Sequence, residues 1–225
     1  MQEPGRRKRR DRLALGCACG ALWLACIVTG AAAVADERRA VVFLGDSLTA
    51  GYGLTADQAY PARVQQRIDD AELGFRVVNA GVSGDTMAGG LRRVDWLLKQ
   101  PIAVLVVALG GNDMLGGQSI DALRSNLRGI LDKLLAAKPE ARIVIAGMRA
   151  APNLGLGYGR QFEQSYAEVA REYDAVLIPF VLEGVAGDPS LNQADGIHPT
   201  AEGQERVAET IWAAVAPVLR SLDSP

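Results

Sequence analysis

Five short apolar runs alternate with longer helical patterns along this chain, and this alternation constrains the fold more than any other feature. The runs are AVVFL, FRVVN, IAVLVVAL, RIVIA and AVLI, at Ala40–Leu44, Phe75–Asn79, Ile102–Leu109, Arg142–Ala146 and Ala175–Ile178. Continuous apolar runs are typical of strands that are buried on both faces. Strands that alternate with helices through short connections predict a parallel sheet with helices on both sides.

Helical periodicity fills the intervals between these runs. The predicted helices lie at Tyr60–Leu73, Asp85–Lys99, Ser119–Ala137, Gln161–Tyr173 and near Ala201–Leu222. In the third of them, apolar side chains recur at the spacing that gives a helix one buried stripe. We find no internal repeat and no linker after residue 36, which predicts one domain over residues 36–225. In such a sheet, binding and catalytic groups gather beyond the carboxyl ends of the strands.

The first 35 residues have a different character. A basic run between Arg6 and Arg12 precedes an uncharged stretch, Leu13–Ala35, that ends in the small-x-small sequence Ala33-Val34-Ala35. This order is typical of a secretory signal peptide. It predicts that residues 1–35 are removed and that the domain is periplasmic or secreted. The stretch is also long enough to span a bilayer, so an uncleaved membrane anchor is the alternative.

The leader also holds much of the positive charge and all of the sulfhydryl groups. It contains six of the 24 Lys and Arg residues and all three cysteines. The remaining chain is net acidic and has no basic cluster, which argues against nucleic acid as a partner. It must also be stable without disulfides, and its length allows a core large enough for that.

Glycine-rich turns with small polar side chains follow the first three predicted strands. They are GDSLTAGYG, AGVSGDT and GGNDM, at Gly45–Gly53, Ala80–Thr86 and Gly110–Met114. Any one of them is explained by tight turns and by Asp, Asn and Ser residues that cap the next helix. Three such turns at one edge of a sheet predict a functional site there.

The segment DGIHP, Asp195–Pro199, contains the only histidine of the chain, His198. A serine hydroxyl is a weak nucleophile until a base removes its proton, and an imidazole can take and return a proton near neutral pH. Asp195 is close enough in sequence to orient one ring nitrogen of His198, which leaves the other for Ser47. Ser47, Asp195 and His198 are therefore the predicted catalytic residues.

Acyl transfer also requires hydrogen-bond donors that face the developing oxyanion. The backbone N–H groups of Ser47 and Gly81 are predicted donors, since glycine lets the main chain come close. The side-chain carboxamide of Asn112 is the third predicted donor.

The four blocks FLGDSLTAGYG, NAGVSGDT, LGGND and DGIHP together resemble, in this order, the conserved blocks of the SGNH (GDSL) hydrolase family. The resemblance implies that Ser47, Gly81, Asn112 and His198 are the name-giving residues and that Asp195 completes the triad. It further implies a flavodoxin-like three-layer αβα sandwich with a five-stranded parallel sheet, and neither a metal nor an organic cofactor. Within the family, the chain most resembles the bacterial multifunctional group of acyl-CoA thioesterase I, protease I and lysophospholipase L1, which includes arylesterases. The segment Pro152–Phe180 is similar to the region of that group between the fourth and fifth strands.

This resemblance implies a serine esterase that hydrolyses carboxylic esters or thioesters through an acyl-serine intermediate. The expected substrates are small acyl esters such as lysophospholipids, aryl esters or acyl thioesters, and we expect a monomer that can contact a lipid surface. Met114 and Leu115 follow the predicted oxyanion asparagine, whereas Leu154 and Tyr158 lie in the glycine-rich segment Arg149–Tyr158. These four are the predicted substrate contacts, although a flexible turn explains the first two equally well.

Four other functions remain open at this point. A carbohydrate esterase of the same family would deacetylate a polysaccharide, and a non-catalytic domain of the same fold would only bind a ligand. A flavodoxin-like phosphate-binding protein would also place glycine-rich turns at strand ends, but the chain has neither GxGxxG after the first strand nor a Walker-type GK[ST]. A metal-dependent phosphodiesterase would use Asp46, Asn112, Asp195 and His198 as ligands, and a single histidine is a poor basis for a transition-metal site.

Overall fold

Five parallel strands form the sheet of this protein, in the spatial order β2-β1-β3-β4-β5. The structure is a computed structural model that describes residues 38–223. The strands are β1, Arg39–Gly45; β2, Phe75–Gly81; β3, Ile102–Ala108; β4, Arg142–Ala146; and β5, Val176–Ile178. All seven residues of β3 are buried, as its continuous apolar run predicts. The predicted signal peptide and its cleavage site lie outside the described residues.

Helices cover both faces of this sheet. They are α1, Ser47–Ala50; α2, Tyr60–Asp70; α3, Met87–Leu97; α4, Gly111–Leu115; α5, Ile120–Ala137; α6, Leu156–Glu172; and α7, Ala201–Asp223. Helices α2 and α7 pack against each other on one face, whereas α5 packs between α3 and α6 on the other. The predicted three-layer αβα sandwich is therefore confirmed. Within residues 38–223, no helix has the length and apolar character needed to cross a membrane.

The order of the strands in the sheet determines where the predicted functional site lies. Strand β2 lies on one side of β1 in the sheet, and β3 lies on the other side. The connections that follow β1 and β2 therefore run in opposite directions from β1. Gly45 at the end of β1 is level with Gly81 of β2 and with Ala108 of β3. The three glycine-rich turns therefore begin at the same height on one edge. This edge is the carboxyl end of the sheet, where ligands bind in folds of this type.

Most predicted helix boundaries agree with the structure to within three residues, and the larger differences concern α1, α4 and α6. Helices α1 and α4 were not predicted, because four or five residues make little more than one turn and show no periodicity. Helix α6 begins at Leu156 instead of Gln161. Gly157 and Gly159 lie inside this first turn and a half, and glycine weakens the helical signal of a sequence.

Candidate active site

Ser47, His198 and Asp195 form one hydrogen-bonded row at the carboxyl edge of the sheet. The Oγ of Ser47 lies 2.9 Å from Nε2 of His198, and Nδ1 of His198 lies 2.7 Å from Oδ2 of Asp195. The two contacts use the two ring nitrogens of one imidazole, so a proton taken from Ser47 is held on a ring that Asp195 orients. The three residues predicted to be catalytic are thus brought together.

The nucleophile end of this row is built by the first residue of α1. Asp46 caps that helix, and its Oδ1 accepts a hydrogen bond from the N–H of Leu48 at 3.0 Å. Only glycine fits at position 45, because a Cβ atom there would collide with the Thr49 side chain. The chain therefore turns sharply from β1 into α1 and presents the Ser47 hydroxyl at the edge.

A buried polar network anchors α1 to the rest of the molecule. The hydroxyls of Thr49 and Tyr60 are 2.6 Å apart and both side chains are buried. Gln204 of α7 accepts the N–H of Tyr60 at 2.8 Å through Oε1 and donates to the carbonyl of Leu48 at 3.0 Å through Nε2. Because each polar group has its partner inside the core, the position of Ser47 is fixed by packing as well as by the strand.

The base end of the row is a surface loop. Oδ1 of Asp195 accepts the N–H groups of Ile197 and His198 at 2.9 and 3.0 Å, while Oδ2 faces the imidazole. The backbone N–H of His198, its ring and the N–H of Ile197 together lower the pKa of Asp195 to about 2. Asp195 is therefore ionised wherever the protein works near neutral pH.

The pKa of the Asp46 carboxyl group is shifted in the opposite direction from that of Asp195. Its residue is only 2% exposed, and burial raises its pKa from 3.8 to about 6, against the opposing hydrogen bond from Leu48. Asp113, which is also buried, accepts the N–H of Met87 at 2.8 Å, and burial likewise raises its pKa. Two buried carboxyl groups thus lie beneath the edge that carries the row.

Two of the three predicted oxyanion donors are available. The N–H of Ser47, at the start of α1, meets no acceptor within residues 38–223. The Nδ2 of Asn112 donates to the carbonyl of Asp85 at 2.8 Å and lies 3.5 Å from Oδ2 of Asp46. The longer contact is at the limit of hydrogen bonding, so one N–H of this carboxamide can turn toward a ligand.

Gly81 departs from its predicted role. Its N–H already donates to Oδ1 of Asn79 at 2.9 Å, and its Cα packs against the backbone of Ala50 in α1. Gly84 lies three residues further along the same turn, with a φ of 80° that favours glycine. Its N–H finds no acceptor in the described part of the chain, and the neighbouring carbonyl of Asp85 is the one that Asn112 contacts. The sequence contains both glycines, and only the backbone hydrogen bonds distinguish them.

An apolar cleft with a volume of about 370 Å³ opens beside Ser47 and His198. Met114 and Leu115 line it as predicted, whereas Leu154 and Tyr158 do not. Tyr158 instead stacks on Phe162, with ring centroids 6.0 Å apart. Sequence reasoning missed the apolar side chains that follow β4 and β5 and line this cleft, which are Met148, Ala151, Phe180, Leu182 and Ala186.

One ion pair lies at the rim of this cleft. The guanidinium of Arg149 is 3.0 Å from a carboxylate oxygen of Glu183 and 4.6 Å from the ring centroid of Phe180. Both side chains of the pair are about half exposed, with 49% and 62% of their surface accessible. The charge of Arg149 is thus largely compensated, and its flat face covers an aromatic wall of the cleft.

The proposed metal-ligand set does not form an open site. Both ring nitrogens of His198 and both carboxylate oxygens of Asp195 are hydrogen-bonded within the row and its loop. Over residues 38–223, no three His, Cys, Asp or Glu side chains come close enough to hold a metal ion.

Comparison with known proteins adds to this geometry. The family model described as "GDSL-like Lipase/Acylhydrolase family" matches residues 43–206. The chain is 40% identical to the "Esterase TesA" of Pseudomonas aeruginosa over 80% of its length and 90% of that protein. It is 38% identical to the "Thioesterase 1/protease 1/lysophospholipase L1" of Escherichia coli over 86% and 89% of the two chains. A solved structure described as "Crystal Structure of TesA" matches with a TM-score of 0.77 and 39% identity, over 80% of this chain and 99% of that one.

Proposed function

Because this chain belongs to the GDSL-like lipase/acylhydrolase family, whose serine hydrolases act on ester bonds, we propose that Ser47 attacks the acyl carbonyl of its ester substrate. The observation that carries this proposal is the row of hydrogen bonds from Ser47 through His198 to Asp195, at 2.9 and 2.7 Å. A hydroxyl bonded to an imidazole that is itself bonded to a carboxylate is an activated nucleophile.

The reaction proceeds in two steps. His198 takes the hydroxyl proton through Nε2 as Oγ of Ser47 forms its bond to the acyl carbon, and it then gives this proton to the departing alcohol or thiol. The product of this step is an acyl-serine, and water repeats the sequence to release the acid and restore the hydroxyl. Asp195, with a pKa of about 2, stays ionised and stabilises the imidazolium.

The oxyanion is held by donors on three different turns. Ser47 contributes its N–H from the start of α1, and Asn112 contributes one N–H of its carboxamide from α4. We assign the third donor to the N–H of Gly84 in place of Gly81, because the Gly81 N–H is engaged by Asn79 whereas that of Gly84 is free within residues 38–223. Donors placed before the reaction need no reorganisation when the charge develops.

The apolar cleft is the binding site for the acyl group. Its walls of Met114, Leu115 and Phe180 suit an alkyl or aryl chain. Two polar side chains that also line it are already engaged within the protein, since Arg149 pairs with Glu183 and the Asn192 amide donates to two backbone carbonyls. We therefore favour lysophospholipids, aryl esters and acyl thioesters over acetylated polysaccharides as substrates. The ion pair of Arg149 with Glu183 at the rim places polar groups where the leaving part of such a substrate would emerge.

We further propose that residues 1–35 are a signal peptide and that residues 36–225 act as an exported monomer. The basic run, the uncharged stretch and Ala33-Val34-Ala35 support this location. Cell fractionation with N-terminal sequencing tests it: a periplasmic chain that begins at Asp36 is expected, and an intact chain in the membrane fraction would identify an anchor instead.

The test of the reaction is hydrolysis of a p-nitrophenyl ester series from acetate to palmitate, with Ser47→Ala in the same assay. We expect turnover that depends on chain length and disappears in the variant, together with labelling of the wild type by a serine-directed organophosphonate. Folded wild-type protein that neither turns over any ester nor reacts with the phosphonate would refute the proposal and indicate a binding domain. Release of acetate from an acetylated polysaccharide at a higher kcat/KM than any aryl ester would instead favour the carbohydrate esterase.

A further inference from the structure

The ring of Tyr52 lies against the imidazole of His198. The two ring centroids are 4.5 Å apart and the planes are inclined by 36°, which is a tilted stack. Tyr52 is 52% exposed, while only 18% of the His198 side chain is accessible. The cleft is lined by His198 and Ile197 but not by Tyr52. The contact of Tyr52 is therefore with the base and not with the acyl-binding cleft.

The backbone of Tyr52 is tied to the nucleophile. Its N–H donates to the carbonyl of Ser47 at 3.0 Å, just beyond the end of α1. Gly51 and Gly53 on either side have φ values of 75° and 77°, in the left-handed region that few other residues adopt. These two glycines turn the chain so that a single residue, Tyr52, is directed at the loop that carries His198.

Gln193 joins the Tyr52 turn to the His198 loop. Its Nε2 donates to the carbonyl of Tyr52 at 2.7 Å and to that of Pro199 at 3.0 Å. Its backbone N–H donates to the carbonyl of His198 at 2.7 Å. Gly53 packs so closely on Gln193 that a Cβ atom there would collide with Oε1. One residue thus fixes the distance between the turn after α1 and the catalytic loop.

From these contacts we propose that Tyr52 and Gln193 are positioning residues for His198 in the reaction described above, on which this inference rests. Asp195 fixes Nδ1 of the imidazole. This one hydrogen bond still lets the ring rotate about the line from Oδ2 of Asp195 to Nδ1 of His198, which would move Nε2. The Tyr52 ring on one face blocks that rotation and keeps Nε2 directed at Ser47. Its π electrons also attract the imidazolium that forms when His198 takes the serine proton.

The first test compares Tyr52→Leu with Tyr52→Phe. Leucine removes the aromatic face, so kcat should fall about 3- to 10-fold, which is the range expected for loss of one aromatic pair. KM should stay within about twofold because Tyr52 is outside the cleft, and phenylalanine should restore kcat. Trp96→Leu is the control for loss of an exposed aromatic residue, since Trp96 is 66% exposed on α3. Wild-type kcat in Tyr52→Leu, or a change confined to KM, overturns the proposal.

Gln193→Leu is a second, independent test of how the His198 imidazole is positioned. It removes the side-chain hydrogen bond to the Tyr52 turn and the one to Pro199 within the loop, so kcat should again fall while the thermal unfolding curve keeps its cooperativity. If both residues act through His198, the double variant with Tyr52→Leu should lose less activity than the product of the two single losses. Independent, multiplicative losses would contradict a shared role.

The single histidine makes the ring directly observable. Every imidazole proton signal in the NMR spectrum belongs to His198, so the Nδ1–H bonded to Asp195 is assigned without further variants. This signal should be sharp in the wild type and broadened by faster solvent exchange in Tyr52→Leu. His198→Ala separates the two levels of inference: if it keeps its kcat, the proposed reaction itself is wrong. If it is inactive while Tyr52→Leu matches the wild type in kcat and in this signal, only the positioning role is wrong.

Discussion

The two ends of the hydrogen-bonded row, Ser47 and His198 with Asp195, are held in different ways. Ser47 stands on buried structure, where Asp46 and Gln204 are 2% and 1% exposed. His198 stands on a surface loop, where the Asp195 side chain is 39% exposed, and its ring packs against Tyr52, which is 52% exposed. The difference suggests that one region combines folding stability with the placement of the nucleophile, whereas the other serves the reaction alone. Variants in the two regions should therefore separate stability from activity.

The largest expected effect is on activity alone and lies in the surface loop. His198→Ala should lower kcat/KM about 10⁴-fold or more, as Ser47→Ala should, because each removes one partner of the proton transfer. The free energy of unfolding of His198→Ala should change by less than about 1 kcal/mol, since the loop is at the surface. Ester hydrolysis and urea titration of the same samples measure both quantities. An active His198→Ala, or one that is inactive because it is unfolded, would break the comparison.

Asn112 extends the comparison to the turn after β3. Asn112→Ala should lower kcat by roughly 10²- to 10³-fold, less than the loss in His198→Ala, because the backbone donors of Ser47 and Gly84 remain. The matched control is Asn112→Asp, which keeps the shape but replaces the donor with a like charge beside the oxyanion, and it should lose at least as much. Steady-state kinetics on one p-nitrophenyl ester distinguish them. A fully active Asn112→Asp would remove this side chain from the oxyanion site.

Two glutamines give the sharpest contrast in stability. Gln204 and Gln193 each connect two segments through the side-chain amide, but the first is buried and the second is partly exposed. Gln204→Leu leaves the N–H of Tyr60 and the carbonyl of Leu48 without partners in the core, which should cost about 2 to 4 kcal/mol of unfolding free energy. Gln193→Leu should cost less than about 1 kcal/mol, because water can replace its bonds. Equal losses in urea denaturation would show that the two regions are equally coupled to the core.

The sequence predicts the buried strands and the hydrogen-bonded row better than it predicts the contacts between surface loops. The three central strands β1, β3 and β4 were predicted closely because a run buried on both faces is visible in the sequence without knowledge of its neighbours. The hydrogen-bonded row of Ser47, His198 and Asp195 was predicted although Ser47 and His198 are 151 positions apart, because the chemistry of each block limits the choice to few residues. The engagement of the Gly81 N–H by Asn79, which leads us to propose Gly84 as the donor, was not predicted, since only hydrogen bonds of the backbone N–H groups distinguish the two glycines of this turn. Tyr52 and Gln193 were also missed, because their contacts join loops 141 residues apart and leave no local pattern.

The last expected effect concerns the pH dependence of stability that the carboxyl groups of Asp46 and Asp195 produce. Asp46 has a pKa near 6 in the folded protein and an ordinary value of 3.8, so the folded state binds more protons between these values. The free energy of unfolding should therefore fall as the pH rises from about 4 to about 6, by at most about 3 kcal/mol. Asp46→Asn keeps an oxygen to cap α1 and carries no charge, so it should be the more stable protein at neutral pH.

Asp195 gives the opposite sign. Its pKa is lowered to about 2, so its contribution to stability is complete above its ordinary value of 3.8 and is lost as the pH falls toward 2. Urea titrations of the wild type, Asp46→Asn and Asp195→Asn between pH 2 and pH 8 resolve the two dependences. The fall between pH 4 and pH 6 should disappear in Asp46→Asn and persist in Asp195→Asn. If the fall in unfolding free energy persists in Asp46→Asn, ionisation of the buried Asp46 is not its cause. The charge of Asp46 would then not weaken the buried region beneath Ser47.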